Sequence, residues 1–126
     1  MDASTNLVFE DTFKKASPEL KELFLLIDKT IKAFGNDVTS DKTETHGYVR
    51  YFRKSKNRFL EITIQPRVND LEIWVYSEKD LYSDPRNILV ARKKYDCYGA
   101  SFKIKPSSDW DYAVSLLKQA YDLVRE

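Results

Sequence analysis

Several residue types that build active sites and cross-links are scarce in this chain of 126 residues. It has one cysteine, Cys97, one histidine, His46, and three glycines. A single cysteine excludes an internal disulfide and is typical of a reducing compartment. One histidine cannot form a histidine-based metal site, three glycines are too few for a phosphate-cradling loop, and no Gly-x-Ser-x-Gly motif is present. We therefore expect a non-enzymatic protein with no catalytic residues, no metal site and no cofactor.

Long apolar runs are also missing. The longest, Leu23 to Ile27, is far shorter than the ~20 residues of a membrane-spanning helix. No charged-then-apolar leader with a small-residue cleavage site precedes it. We expect a cytoplasmic protein without membrane association. The length predicts a single domain, residues 1–126, in which residues 1–16 form a loosely attached N-terminal arm.

Charge of one sign is not in excess overall, since the net charge is +1, but it is unevenly distributed. Residues 1–46 carry six basic and nine acidic side chains, whereas residues 47–105 carry thirteen basic and seven acidic ones. Such local asymmetry can steer an anionic partner toward the central segment. The alternative is that these charges only solvate the surface.

Two segments have the apolar period of a helix. The first, residues 18–34, begins with the hydroxyl cap and proline of Ser17-Pro18, and Gly35-Asn36 supplies a left-handed stop. The second follows the cap Ser107-Ser108-Asp109 and continues to the C-terminal region. Their apolar stripes comprise Leu20, Leu23, Phe24, Ile27, Ile31 and Phe34, and Trp110, Ala113, Val114, Leu117, Tyr121 and Val124.

The central segment has the alternation of β-strands. Strands are predicted at 47–53, 58–65, 71–76 and 99–105, with 38–45 as an edge strand or a connector and 77–98 as a long connection. Leu60, Ile62 and Ile64 alternate with polar neighbours, which assigns them to the core side. The prediction is an α+β fold: a two-layer sandwich in which the N- and C-terminal helices pack on one face of a four- to five-stranded, mainly antiparallel sheet.

The other face of this sheet is predicted to present aromatic rings beside cations. Rings that stack on bases and cations that follow a phosphate backbone are the usual means of binding single strands. The alternatives are that residues 77–98 bury these rings, or that the same face serves a protein partner or a homodimer. The candidate residues on this face are Tyr48, Arg50, Phe52, Phe59, Trp74, Tyr76 and Lys103.

The loop between the predicted strands 47–53 and 58–65 adds four cations in six residues. Arg53, Lys54, Lys56 and Arg58 could hold phosphate oxygens, or could keep the hairpin soluble and guard the strand edge. Arg92-Lys93-Lys94 forms a second basic cluster with the same two interpretations. A third hypothesis is a small-anion pocket between the sheet and residues 77–98, containing Arg86 or Arg92.

From Pro18 onward the chain resembles a bacterial domain family of unknown function that is often labelled "predicted transport protein". The matching pieces are the first helix, the 47–65 hairpin, the LEIWVY strand and Asp84-Pro85-Arg86. The glycine before the last strand and the Gln119-Ala120-Tyr121 ending also fit. The resemblance implies a domain that stands alone or is appended to nuclease-like or restriction-associated proteins. The resemblance implies no catalytic residues. The label of a transport protein is not supported by a membrane-spanning segment in this sequence.

Overall fold

In a computed structural model, which describes residues 7–42, 48–54, 57–92 and 98–124, the chain forms three helices and six strands. The predictions made for His46, Lys56, Lys93, Lys94 and Cys97 lie outside these ranges. The elements are α1 (Leu7–Lys15), α2 (Pro18–Lys32), β1 (Val38–Lys42), β2 (Tyr48–Arg53), β3 (Asn57–Gln65), β4 (Asp70–Val75), a 3-10 turn (Lys79–Leu81), β5 (Val90–Ala91), β6 (Ala100–Ile104) and α3 (Trp110–Leu123).

All six strands form one antiparallel sheet in the order β1-β2-β3-β4-β6-β5. The α+β prediction is confirmed, with one strand more than the four to five expected. The additional strand is β5, an edge strand of only two residues within the predicted 77–98 connection, and the other edge strand, β1, has no buried residue. The segment 38–45, left open between strand and connector, is therefore a strand over residues 38–42.

The helices and the sheet share one apolar core. The sequence alternation is confirmed on β3 and β4, where Leu60, Ile62, Leu71 and Ile73 are fully buried. They meet Leu20, Phe24, Ile27 and Ile31 of α2, and Leu117 and Tyr121 of α3, in one cluster. Val114 is only partly buried, contrary to expectation, whereas Leu116 and Ala120 of α3 are buried.

Both long helices begin at the predicted caps. Ser17 Oγ accepts a hydrogen bond from the Leu20 amide at 3.1 Å, and Asp109 Oδ1 accepts one from the Tyr112 amide at 3.2 Å. These bonds satisfy amides that the first helical turn leaves without partners. The predicted arm, residues 1–16, contains α1, and the ring of Phe13 packs edge-on against Phe24 at 5.9 Å.

The end of α2 differs from the prediction. The helix ends at Lys32, and Gly35 does not adopt the left-handed conformation expected of a glycine stop. A Cβ at Gly35 would lie only 2.1 Å from the hydroxyl oxygen of Tyr121. Glycine is needed here because the Tyr121 hydroxyl approaches the backbone closely, and not because of an unusual φ.

A β-bulge in the β2–β3 hairpin reverses the predicted side of Phe59. Tyr51 pairs with Leu60 and Phe52 pairs with Arg58, so Phe59 is an extra residue on β3. Because a bulge lets two successive side chains point the same way, Phe59 and Leu60 are both fully buried on the helix side. The ring of Phe59 lies edge-on to Tyr121 of α3 at 5.6 Å. The placement of Phe59 on the face opposite the helices is therefore wrong.

Candidate functional site

The sheet face opposite the helices, here called the outer face, has a row of aligned side chains across its centre. Strand pairing places Arg50, Glu61, Trp74 and Ser101 side by side on β2, β3, β4 and β6. The Arg50 guanidinium donates two hydrogen bonds, of 3.0 and 3.2 Å, to the carboxylate of Asp41 on β1. The central row therefore contains two opposite charges, one ring and one hydroxyl, and its charges are partly compensated within the sheet.

The centre of the outer face is partly covered by residues that flank β5 and β6. The Arg92 guanidinium lies 4.4 Å from the ring centre of Trp74 and donates a 2.8 Å hydrogen bond to Ser101 Oγ. The Tyr98 hydroxyl donates a 2.7 Å hydrogen bond to Glu61, and both residues are buried. The hypothesis that the connection covers the rings thus holds for Trp74, which is half-buried beneath Arg92 and beside Tyr98.

A cleft of about 560 Å³ opens at the end of the sheet nearest the β2–β3 hairpin. It brings together three of the predicted site residues, namely Phe52, Arg58 and Tyr76. The ring of Tyr76 is 48% exposed, and the Arg58 guanidinium lies 5.5 Å from the ring centre of Tyr98. The full lining consists of Phe52, Asn57, Arg58, Tyr76, Ser77, Glu78, Leu81, Leu123 and Val124.

Arg53 lies on the helix side of the hairpin and does not line the cleft itself, although it bonds to Val124, which does. It donates a 3.0 Å hydrogen bond to Asp37 and bonds of 3.1 Å to the carbonyls of Tyr121 and Val124 at the end of α3. Its guanidinium also stacks on the Tyr121 ring at 4.1 Å. Terminal helix carbonyls lack intrahelical partners, so Arg53 caps the end of α3, and its guanidinium already makes three hydrogen bonds within the protein.

The same cluster shifts the pKa values of two groups. A 2.8 Å hydrogen bond from the Tyr121 hydroxyl, together with the Arg53 guanidinium, holds the pKa of Asp37 below its usual value. Burial raises the pKa of Tyr121, and its bond to Asp37 acts in the same direction. Both shifts favour an ionised Asp37 and a neutral Tyr121. This arrangement fastens α3 to the segment between α2 and β1.

The other predicted residues are more scattered. Tyr48 and Arg50 are half-buried on β2, at a distance along the strand from the cleft, and Lys54 is exposed at the hairpin. Lys103 is exposed on β6 opposite Glu72. The structure therefore collects Phe52, Arg58 and Tyr76 into one cleft, and of the other described cations in the predicted set none lines it: Arg50, Arg53, Lys54 and Lys103.

Sequence reasoning missed Tyr98 and the non-strand lining of the cleft. Tyr98 lies just outside the predicted last strand, where alternation gives no information. Leu81 is in the 3-10 turn and Leu123 at the end of α3, and only the folded chain brings these distant segments together. For Arg53 a signal existed, since the alternation that puts Phe52 on the outer face puts Arg53 on the helix side.

The hypothesis of a small-anion pocket at Arg86 agrees with the structure in one respect only. Arg86 does line a pocket, of about 110 Å³, beside α3. Its guanidinium forms a 2.9 Å ion pair with Asp109 and stacks on Tyr112 at 4.5 Å. Asp84 accepts hydrogen bonds from the Tyr112 hydroxyl and from the amides of Ile88 and Leu89. These contacts anchor the connection to α3, and the Arg86 charge is already paired.

The described residues contain neither a metal-binding cluster nor a membrane-spanning helix. No three His, Cys, Asp or Glu side chains in this part of the chain gather closely enough to hold a metal ion. None of the helices in the same ranges has the length and apolar character required to cross a membrane.

Comparison with known proteins identifies the family but no activity. A family model described as a domain of unknown function (DUF5655) matches residues 9–124. The chain belongs to this family. No curated protein and no solved structure matches it. The DUF5655 match spans α1 to the end of α3, including both the cleft and the cluster around Arg53.

Proposed function

We propose that this DUF5655 domain is a non-catalytic module that binds single-stranded nucleic acid, with a base held in the cleft. The observation that carries the proposal is the convergence of Phe52, Tyr76 and Arg58 on one opening. Rings can stack on a base while the guanidinium contacts its phosphate, and stacking contributes ~1–3 kcal/mol per base. A cleft of about 560 Å³ is also within the usual size of small-ligand sites.

The exposure of the lining residues supports this choice over the centre of the outer face. Trp74 already has Arg92 stacked on it, so an incoming base would have to displace that guanidinium. Tyr76 has nearly half of its surface in solvent and needs no such rearrangement. We therefore assign the principal stacking role to Tyr76, and a secondary role to Trp74.

The proposal extends to cellular context through the resemblance noted above. The domain would act in the bacterial cytoplasm as an accessory module beside a nuclease-like or restriction-associated effector. Binding of a single strand by a non-catalytic domain would hold the substrate near such an effector. The single cysteine supports a reducing compartment.

Fluorescence anisotropy with labelled single-stranded and duplex oligonucleotides at 50 mM salt tests the proposal. We expect binding at tens of micromolar or tighter, the range of non-specific binders. Tyr76→Ala should weaken single-strand binding by about tenfold, as the loss of one stacked base predicts, and duplex binding by less. Leu25→Ala, a similarly exposed apolar change on α2 at the other side of the sheet, should have no effect. Absence of binding under these conditions would overturn the proposal.

A second candidate, a protein-interaction or dimerisation domain, is favoured by one observation. Leu81 is 61% exposed beside Tyr76 in the same cleft, and exposed apolar and aromatic side chains are typical of interface centres. Size-exclusion chromatography with light scattering separates the two functions. A dimer that dissociates on Leu81→Asp would favour pairing, whereas a monomer that binds oligonucleotides would favour the nucleic-acid function.

A further inference from the structure

A second groove, of about 570 Å³, lies at the other end of the sheet. It is formed where the end of α1 meets the β3–β4 turn and the last part of β6. We call it the far groove, and its lining consists of Thr12, Lys15, Gln65, Pro66, Arg67, Val68 and Lys103. Three of these seven side chains are cationic and none is acidic. They come from three separate elements, so their convergence is a product of the fold.

The charges of the far groove are largely uncompensated. In the described ranges, Arg67 and Lys103 have no ion-pair or hydrogen-bond partner for their charged groups. Lys15 contacts Asp11 at 3.4 Å, but both side chains are 69% exposed, and such pairs contribute little. The far groove therefore presents a positive potential to solvent.

The nearest carboxylate along the strand pairing does not neutralise this potential. Glu72 lies opposite Lys103, yet its Oε1 accepts a 3.2 Å hydrogen bond from Gln65 and its Oε2 lies 3.7 Å from the Arg92 guanidinium. The Glu72 side chain is only 16% exposed. Its charge is thus directed to Arg92 and Gln65, and Lys103 is left available to an external anion.

We infer that the far groove is a phosphate-binding site formed by Lys15, Arg67 and Lys103. Arginine and lysine side chains are the usual ligands of phosphate oxygens. The inference deepens the proposed function, because a strand with a base in the cleft could place a backbone phosphate here. From Arg58 to Gln65, seven residues of β3 at ~3.3 Å each separate the two sites by ~23 Å.

The path between the two sites is compatible with a polyanion. The carboxylates on or beside it are Glu61, buried under its bond from Tyr98, Glu72, held by Arg92 and Gln65, and Asp70, which is buried opposite Gln65. Arg50 and Arg92 flank this path on β2 and after β5. At the ~3.4 Å rise of a stacked strand, ~23 Å corresponds to about seven nucleotides, within the range of single-strand binding folds.

The first test uses inorganic phosphate as the probe. The full chain is titrated with phosphate at constant ionic strength, and amide shifts are followed by two-dimensional NMR. We expect saturable shifts at Gln65, Arg67, Val68 and Lys103. Arg67→Gln and Lys103→Gln should each weaken binding by about threefold, as the loss of an exposed ionic contact predicts. The control Lys105→Gln removes an exposed cation of the same segment outside the groove. Shifts that do not saturate, or that Lys105→Gln reduces equally, would overturn the inference.

The second test separates the source of the phosphate. Anisotropy is measured with a trinucleotide, too short to span both sites, and with a dodecanucleotide. For the dodecanucleotide, Arg67→Gln should reduce the slope of log affinity against log salt concentration by ~0.7, which corresponds to the loss of one phosphate contact. Binding of the trinucleotide should be unchanged. Saturable phosphate binding without any oligonucleotide binding would uphold the groove as a site for free phosphate and overturn the proposed function. Oligonucleotide binding without saturable phosphate shifts would do the reverse.

Discussion

The two faces of the sheet are stabilised in different ways. On the helix side, aliphatic side chains such as Ile62 and Ile73 are completely buried against α2 and α3, so stability there follows from apolar area. On the outer face, Glu61 and Trp74 are covered by specific polar and cation–ring contacts from Tyr98 and Arg92. The helix side should therefore contribute more of the stability than the outer face, whose few polar and cation–ring contacts are each of modest net size.

The largest expected effect is a loss of stability on truncating a buried side chain on the helix side of the sheet. Ile62→Ala removes a fully buried side chain from β3 and should lower the free energy of unfolding by ~2–5 kcal/mol. Its neighbour Thr63, half-buried on the outer face, is the matched control, and Thr63→Ala should cost less than ~1 kcal/mol. Urea denaturation of both variants measures the difference. Equal losses would contradict the division of roles between the faces.

A substitution at Arg53 tests whether this cation of the hairpin stabilises the fold and does not bind a ligand. Arg53→Ala removes charged hydrogen bonds to Asp37 and to two carbonyls of α3, and bonds of this kind are worth ~1.5–3 kcal/mol. We expect a loss of that size in thermal or urea unfolding, with oligonucleotide affinity unchanged at temperatures where the variant is folded. Arg50→Ala, on the outer face, is the counterpart and should cost ~0.2–1 kcal/mol. If Arg53→Ala instead reduced the salt dependence of oligonucleotide binding, Arg53 would be a phosphate contact.

Gly99 tests how tightly the cover of the outer face is fixed. A Cβ at Gly99 would lie 2.6 Å from the Cα of Glu78, and backbone cannot yield as a flexible side chain does. Gly99→Ala should therefore cost ~1–3 kcal/mol. Because Tyr98 is adjacent, the variant should also show faster amide exchange around Glu61. Unchanged stability and exchange would mean that this part of the cover is adaptable.

The smallest effect concerns acid stability. The bond from Tyr121, with the Arg53 guanidinium, lowers the pKa of Asp37 from its usual 3.8. A depressed pKa contributes stability above the unfolded-state value and loses it as the pH falls through the folded-state value. The stability difference between wild type and Asp37→Asn should thus be constant from neutral pH to about pH 5 and shrink below about 3.8. Thermal unfolding across this range measures it, and a difference that grows on acidification would contradict the assignment.

The sequence was sufficient for the two long helices, the central strands and the core, because alternation and helical period depend on local composition. It did not indicate β5, which has only two residues. It placed Leu60, Ile62 and Ile73 correctly. It could not place Phe59, because a bulge changes side-chain direction within a strand, although the adjacent apolar pair Phe59-Leu60 was a hint. The cleft was beyond local pattern, since the residues that line it are distant in sequence. For Arg53, charge density in the hairpin suggested a phosphate contact, whereas strand alternation indicated the helix side, where the structure places it.

The extra residue in β3 has a consequence for comparing relatives. Tyr51 and Leu60 pair on one side of the bulge, and Phe52 and Arg58 pair on the other, so removing Phe59 would leave both pairings and both faces intact. A family member could therefore lack this position, provided that another ring fills the space beside Tyr121. An alignment that forbids gaps inside strands would then move the gap into the hairpin loop and misplace Asn57 and Arg58 by one position. Alignments of this family should allow a single-residue gap in the middle of β3.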